Sequence, residues 1–147
     1  MELSEALKRM ETQNTENYSL VSAVAIVSGK DEVSRWALVY QNSETRNILD
    51  FYVTEEEIKK GEVTKSEEEF KELKIEKVKI STSQAVAKAK KEITKTPISI
   101  VISLTNNKKL IWKISIISQD LMASTIEFDA ISGDVIKKSE TSIGRRA

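Results

Sequence analysis

The sequence predicts an α+β fold in which helices pack on antiparallel meander sheets. Three observations carry this. Residues Ile98 to Lys138 read as strand, turn, strand, turn, strand; an alanine-rich helical run, Thr82 to Thr94, stands directly before them; and a fainter copy of the same order occupies the first half. The expected architecture is a tandem duplication of a helix packed on a three- to four-stranded antiparallel meander. The units fall at 1–54 and 81–140, with an acidic connector and short strand at 55–80 and a flexible tail at 141–147.

Leu3 to about Gln13 is a short helix with Ser4 as N-cap and Glu5 in its first turn, because Leu3, Ala6, Leu7 and Met10 share one face at helical spacing. Leu20–Val27 is a strand apolar on both faces, hence central. Ser28-Gly29-Lys30-Asp31 turns the chain into a strand at Val33–Tyr40, and Gln41-Asn42-Ser43-Glu44 turns it into a third at Arg46–Val53. In the connector, Thr54-Glu55-Glu56-Glu57 caps a short helix containing Ile58 and ended by Gly61. Ser66–Leu73 is read as another short helix with Phe70 and Leu73 pointing in, and Lys74–Ile80 as a short strand.

Ser81-Thr82-Ser83 opens the second helix, with Ala85, Val86, Ala89 and Ile93 as its buried stripe, and Thr96-Pro97 stops it. Ile98, Ile100, Ile102 and Leu104 alternate with smaller residues, and Leu110, Trp112, Ile114 and Ile116 form the next inner face. Thr125–Ala130 is a strand, Ser132-Gly133-Asp134 a tight turn and Val135-Ile136 a short return, with a polar tail from Lys137. The halves align with Trp36 on Trp112 and Tyr52 on Phe128 at a spacing of 76, and with Ser4–Leu7 on Ser83–Val86 at a spacing of 79.

The second half carries Ala85, Ala87 and Ala89 on its helix, Trp112 on its middle strand and the closing phrase Phe128-Asp129-Ala130-Ile131-Ser132-Gly133-Asp134-Val135. In these features residues 81–138 resemble the PepSY domain family. The first half departs from that pattern, with Tyr52-Val53-Thr54-Glu55 where the Asp-Ala phrase would stand. The resemblance implies a helix on an antiparallel sheet and a module found in peptidase propeptides and in accessory domains thought to restrain peptidases. It supplies no catalytic residues. Asp129 and Gly133 match family positions and read as structural turn residues: glycine permits positive φ, and aspartate accepts backbone hydrogen bonds across a turn.

Composition narrows the chemistry. The 147 residues contain no cysteine and no histidine, so disulfides, thiolate nucleophiles, ordinary zinc sites and the commonest general base are unavailable. Four scattered glycines form no phosphate loop, and no Gly-x-Ser-x-Gly elbow is present. The reading is of a chain that is not an enzyme and takes no cofactor. Low Gly and Pro with abundant Lys, Glu and Ile suit a thermophile-like composition. There is no apolar run of about 18 residues and no signal-peptide pattern at the start, which implies a cytoplasmic protein.

Residues 1–73 carry 9 Lys and Arg against 16 Asp and Glu, a net of −7; residues 74–147 carry 14 against 7, a net of +7. Oppositely charged halves suit self-association, although exposed charges are screened beyond about 8 Å in physiological salt. Glu55-Glu56-Glu57 and Glu67-Glu68-Glu69 read as solvated helix starts and not as calcium ligands, because consecutive glutamates point to different sides. Lys88, Lys91, Lys95, Lys108, Lys109, Lys113, Arg145 and Arg146 with Trp112 are the weaker case for a nucleic-acid surface. A small-ligand or lipid carrier, its ligand between helix and sheet, is a further alternative. The leading expectation is a protein-binding or regulatory module, its partner a peptidase by resemblance. The candidate contact residues are Tyr18, Tyr40, Tyr52 and Ile117, of which Tyr40 also suits the core.

Overall fold

Strands carry most of this chain. The computed structural model describes residues 1–28 and 33–143. Helix α1 runs Leu3–Arg9 and tightens into a 3-10 turn at Met10–Thr12. Four strands follow: β1 Tyr18–Ser28, β2 Trp36–Asn42, β3 Ile48–Val53 and β4 Ile58–Thr64. A 3-10 turn at Ile75–Lys77 leads into α2, Thr82–Glu92, and then β5 Pro97–Asn107, β6 Lys109–Ser118, β7 Met122–Asp129 and β8 Val135–Ser142.

All eight strands form one antiparallel sheet in the order β4-β3-β2-β1-β5-β6-β7-β8. This corrects the expectation of two units, each a helix on its own three- to four-stranded sheet. The physical reason lies in β1 and β5, which are long and apolar and would each have been a bare sheet edge. An unpaired edge of that kind invites association. Here the two edges close on each other, Ser22–Ser28 against Thr105–Ser99.

The register of that seam organises the core. Ala25 opposes Ile102, Ala23 opposes Leu104, and Val24 opposes Ser103 at the centre. One helix-facing row reads Val53, Trp36, Ala25, Ile102, Ile114, Ile126; the next reads Phe51, Leu38, Ala23, Leu104, Trp112, Phe128. Read from opposite ends the rows correspond, so an approximate two-fold axis passes through the sheet at Val24 and Ser103. Both tryptophans are fully buried. Each indole N–H donates at 3.0 Å to the carbonyl two residues before a helix, Trp36 to Met1 and Trp112 to Ile80. The alignment of Tyr52 with Phe128 is one residue out: Val53 opposes Trp36 as Phe128 opposes Trp112. Side chains alternate across a strand, so a shift of one residue moves Tyr52 to the other face.

Both helices lie on one face. Helix α2 buries Thr82, Ala85, Val86 and Ala89, and α1 buries Leu3 and Ala6. Their N-termini meet. The Glu2 carboxylate, at the N-cap of α1, accepts from Thr82 N at 2.9 Å, from Ser83 N at 3.1 Å and from the Ser83 hydroxyl, while Leu3 N donates to Thr82 Oγ1 at 3.1 Å. Two positive helix ends repel; one carboxylate between them stabilises both. Partial burial pushes the Glu2 carboxyl up, but the hydrogen bonds from Ser83 and Thr82 outweigh it and hold it below the ordinary value. The N-cap of α1 is thus Glu2, not Ser4.

The connector also differs from expectation. Thr54 Oγ1 accepts from Glu57 N at 3.0 Å and closes a turn. Residues Ile58–Thr64 then pair with β3, where a helix was expected, because β3 would otherwise be an apolar edge. Residues 65–74 form an extended strap, not a helix over Ser66–Leu73, and Lys74–Ile80 holds a 3-10 turn and no strand. Strand β8 runs to Ser142, longer than the short return expected at Val135-Ile136. Most of the expected Ser28–Asp31 turn, together with Arg145 and Arg146, lies outside the described residues. Among the described residues, no helix is long and apolar enough to cross a membrane.

Candidate docking surface

Among the described residues, the helices cover one face of the sheet and leave the other without a helix. Strand alternation gives that open face Val24 and Ile26 from β1, Val39 from β2, Val101 from β5 and Ile111 and Ile117 from β6. Ile26 is 58% exposed. Both free edges carry paired lysines, Lys59 and Lys60 on β4 and Lys137 and Lys138 on β8. Charged lysines on an edge oppose the addition of another strand.

The four contact candidates divide between the two faces. Tyr52 and Ile117 stand on the open face, half-buried. They are four strand spacings apart across the sheet and four residues apart along it, roughly 23 Å. The Arg35 guanidinium lies 5.0 Å from the centre of the Tyr52 ring. Tyr18 packs against the core on the helix side. Tyr40 is buried, meets Phe51 edge-on at 5.6 Å, and burial pushes its phenol up to about 12. Its place is in the core, because residue 40 shares the inward parity of Trp36 and Leu38.

At one end of the sheet the strap crosses the strand ends. Gln41, 3% exposed, holds it: Nε2 donates to Glu68 O at 2.7 Å and to Arg46 O at 3.2 Å, and Oε1 accepts from Phe70 N at 2.7 Å. Arg46 Nη1 donates to Glu67 O at 2.9 Å, Asn106 Nδ2 to Glu72 O at 3.0 Å, and Leu73 N to Leu20 O at 2.8 Å. The strap therefore presents Phe70, 44% exposed, over the edge of the open face. Beside it lies a groove of about 570 Å³ lined by Val21, Val39, Ile48 and Thr105. Sequence reading missed this groove by placing Phe70 on the inner side of a helix. The available signal was a lone aromatic within a run of glutamates.

The closing turn of β7 is built by Asp129, whose Oδ1 accepts from Ile131 N at 2.8 Å and Ser132 N at 3.0 Å. Those bonds hold its carboxyl below the ordinary range. Gly133 has φ +83°, and a Cβ there would lie 3.4 Å from Ile80 Cδ1. Elsewhere Lys95 Nζ bridges Asp120 at 2.9 Å and Glu140 at 3.5 Å, tying the loop after α2 to the β6–β7 turn and to β8. Among the described residues, no three carboxylates gather as a metal site. Among the described residues, Lys88 lies over the Phe128 ring, Lys109 pairs with Asp129 and Lys138 with Glu92. Trp112 is in the core and offers no stacking surface. The cavity at the start of the helices, beside Trp112, is about 210 Å³, below the ~300 Å³ at which small-molecule sites begin.

A helix, a meander and an Asp129–Gly133 turn closing it are now in place over the second half. That half matches PepSY. Residues 79–138 fit the family described as the peptidase propeptide and YPEB domain, less than half of the chain. PepSY domains are in general non-catalytic modules associated with peptidase propeptides or regulation. No curated protein matches the chain. Among solved structures, a putative lipoprotein from Clostridium difficile 630 is similar at 14% identity with a TM-score of 0.70, over 96% of this chain and 93% of that one. The fold of both halves, PepSY segment and first half together, therefore recurs in one chain of another protein.

Proposed function

We propose that this chain is a non-catalytic docking module that holds a protein partner on the open face of its sheet. One observation carries the reading: a helix-free face with apolar residues across its centre, in a sheet whose two edges are blocked by lysine. The PepSY match supports a peptidase as the partner class, restrained sterically by a face that covers its substrate cleft. The cytoplasmic location expected from the sequence belongs to the same proposal. Fractionation that finds the protein tethered at a membrane surface would replace it.

The test is inhibition of a panel of peptidases from the source cell by the full chain and by Ile117→Glu, which alters the open face without entering the core. The expected result is inhibition of at least one peptidase, weakened on the order of tenfold or more by the substitution. No inhibition of any peptidase, or equal inhibition by both proteins, would overturn the reading.

A further inference from the structure

The centre of the open face is short of charge for a protein with 31% charged residues; Asp50, Lys59 and Lys137 stand toward its flanks. Its middle, over β1 and β5, carries Ser22, Val24, Ile26, Val101, Ser103 and Thr105. On the adjoining strands Lys113 and Glu127 stand opposite each other in register and offset one another. Five strands of about seven residues span roughly 24 by 24 Å, or ~600 Å² per copy, and a pair of such faces reaches the ~1,200 Å² of a specific interface. The approximate two-fold axis at Val24 and Ser103 also gives the two halves of the face similar strand layouts, so either half of one copy can lie over the other half of a second.

Charge selects between the ways two such faces could stack. The first half is net −7 and the second +7. At one end of the sheet the strap brings Glu67, Glu68 and Glu69 to the first half, and the β5–β6 turn brings Lys108 to the second. An axis parallel to the strands places the first half of one copy over the second half of the other and sets strap against basic turn. An axis across the strands would set like halves together.

We propose that a second copy of this chain covers the open face, sheet stacked on sheet, about a two-fold axis parallel to the strands. This rests on reading the face as a docking surface and supplies its regulation: self-association hides the face, and the protein partner must compete with the second copy. Stacked sheets align within about 30°, which brings Ile26 of one copy against Val101 of the other.

The test is sedimentation of the full chain over a concentration series, with no peptidase present, for wild type, Ile26→Lys and Val101→Glu. Circular dichroism melts check that each variant folds. The expected result is a wild-type dimer, each single variant weakening it on the order of a hundredfold, and dimer recovered when the two variants are mixed, because Lys then meets Glu across the interface. Monomeric wild type throughout the series would overturn the proposal, as would a dimer that Ile26→Lys leaves intact. Two monomeric variants whose mixture stays monomeric would overturn the arrangement about this axis. A dimer that meets these expectations while no peptidase is inhibited supports this inference and removes the peptidase reading.

Discussion

At the residue scale, the clearest electrostatic element is Glu2. Its carboxylate joins the starts of two helices far apart in sequence, accepting from Thr82 N and Ser83 N. Its folded-state value lies below the ordinary 4.5, so its contribution to stability is present above the unfolded value and is lost as pH falls through the lowered folded one. Glu2→Gln is therefore expected to be less stable than wild type at pH near neutrality, and the difference is expected to shrink as pH falls below about 4.5 and both side chains become neutral. Urea titrations of both proteins at several pH values measure this; a difference independent of pH would exclude the electrostatic account. The meeting of Glu2 and Ser83 was not legible in the sequence, since the contact spans 81 residues and no local pattern encodes it.

At the scale of elements, the strap shows how one buried polar side chain fixes a segment with no regular structure. Gln41 uses both ends of its amide on the strap and on Arg46. Gln41→Leu removes those bonds and leaves Phe70 N and Glu68 O to find water. A loss of about 1–3 kcal/mol in unfolding free energy is expected, together with faster proteolytic cleavage between residues 65 and 74. Denaturant melts and limited proteolysis measure the two effects, and unchanged cleavage would show that the strap is held by other means. Helix α2 and strands β5 to β7 were legible in the sequence because a period of 3.6 and a period of two stand out there from Thr82 to Phe128. Strand β4 was not: Ile58–Thr64 holds Lys59, Lys60, Gly61 and Glu62, a composition with weak strand preference, and it is a strand because β3 lies beside it.

For the whole molecule, the β1–β5 seam joins the halves into one sheet. The PepSY segment ends at this seam, so its first strand has an apolar partner only when β1 is present. Ala23 and Ala25 cover Leu104 and Ile102, and Glu2 supplies hydrogen bonds to the start of α2. A fragment comprising residues 79–143 is accordingly expected to lack a cooperative monomeric melt, whereas the full chain has one. Circular dichroism with sedimentation checks this, and a monomeric fragment melting as sharply as the full chain would show that the seam is dispensable.

The sequence by itself determined the α+β class, the antiparallel meanders, the buried tryptophans and the PepSY resemblance of the second half. These follow from short-range periodicity and from a local turn phrase, Asp129 to Gly133, whose geometry is set within a few residues. Only the tertiary structure decided that the two meanders share one sheet, that Tyr52 faces outward, and that, among the described residues, one broad face stays free of helices. Strand register and edge pairing depend on residues far apart in the chain. A pattern read along the sequence shows which strands have an apolar edge, and the folded molecule alone shows which two edges close on each other.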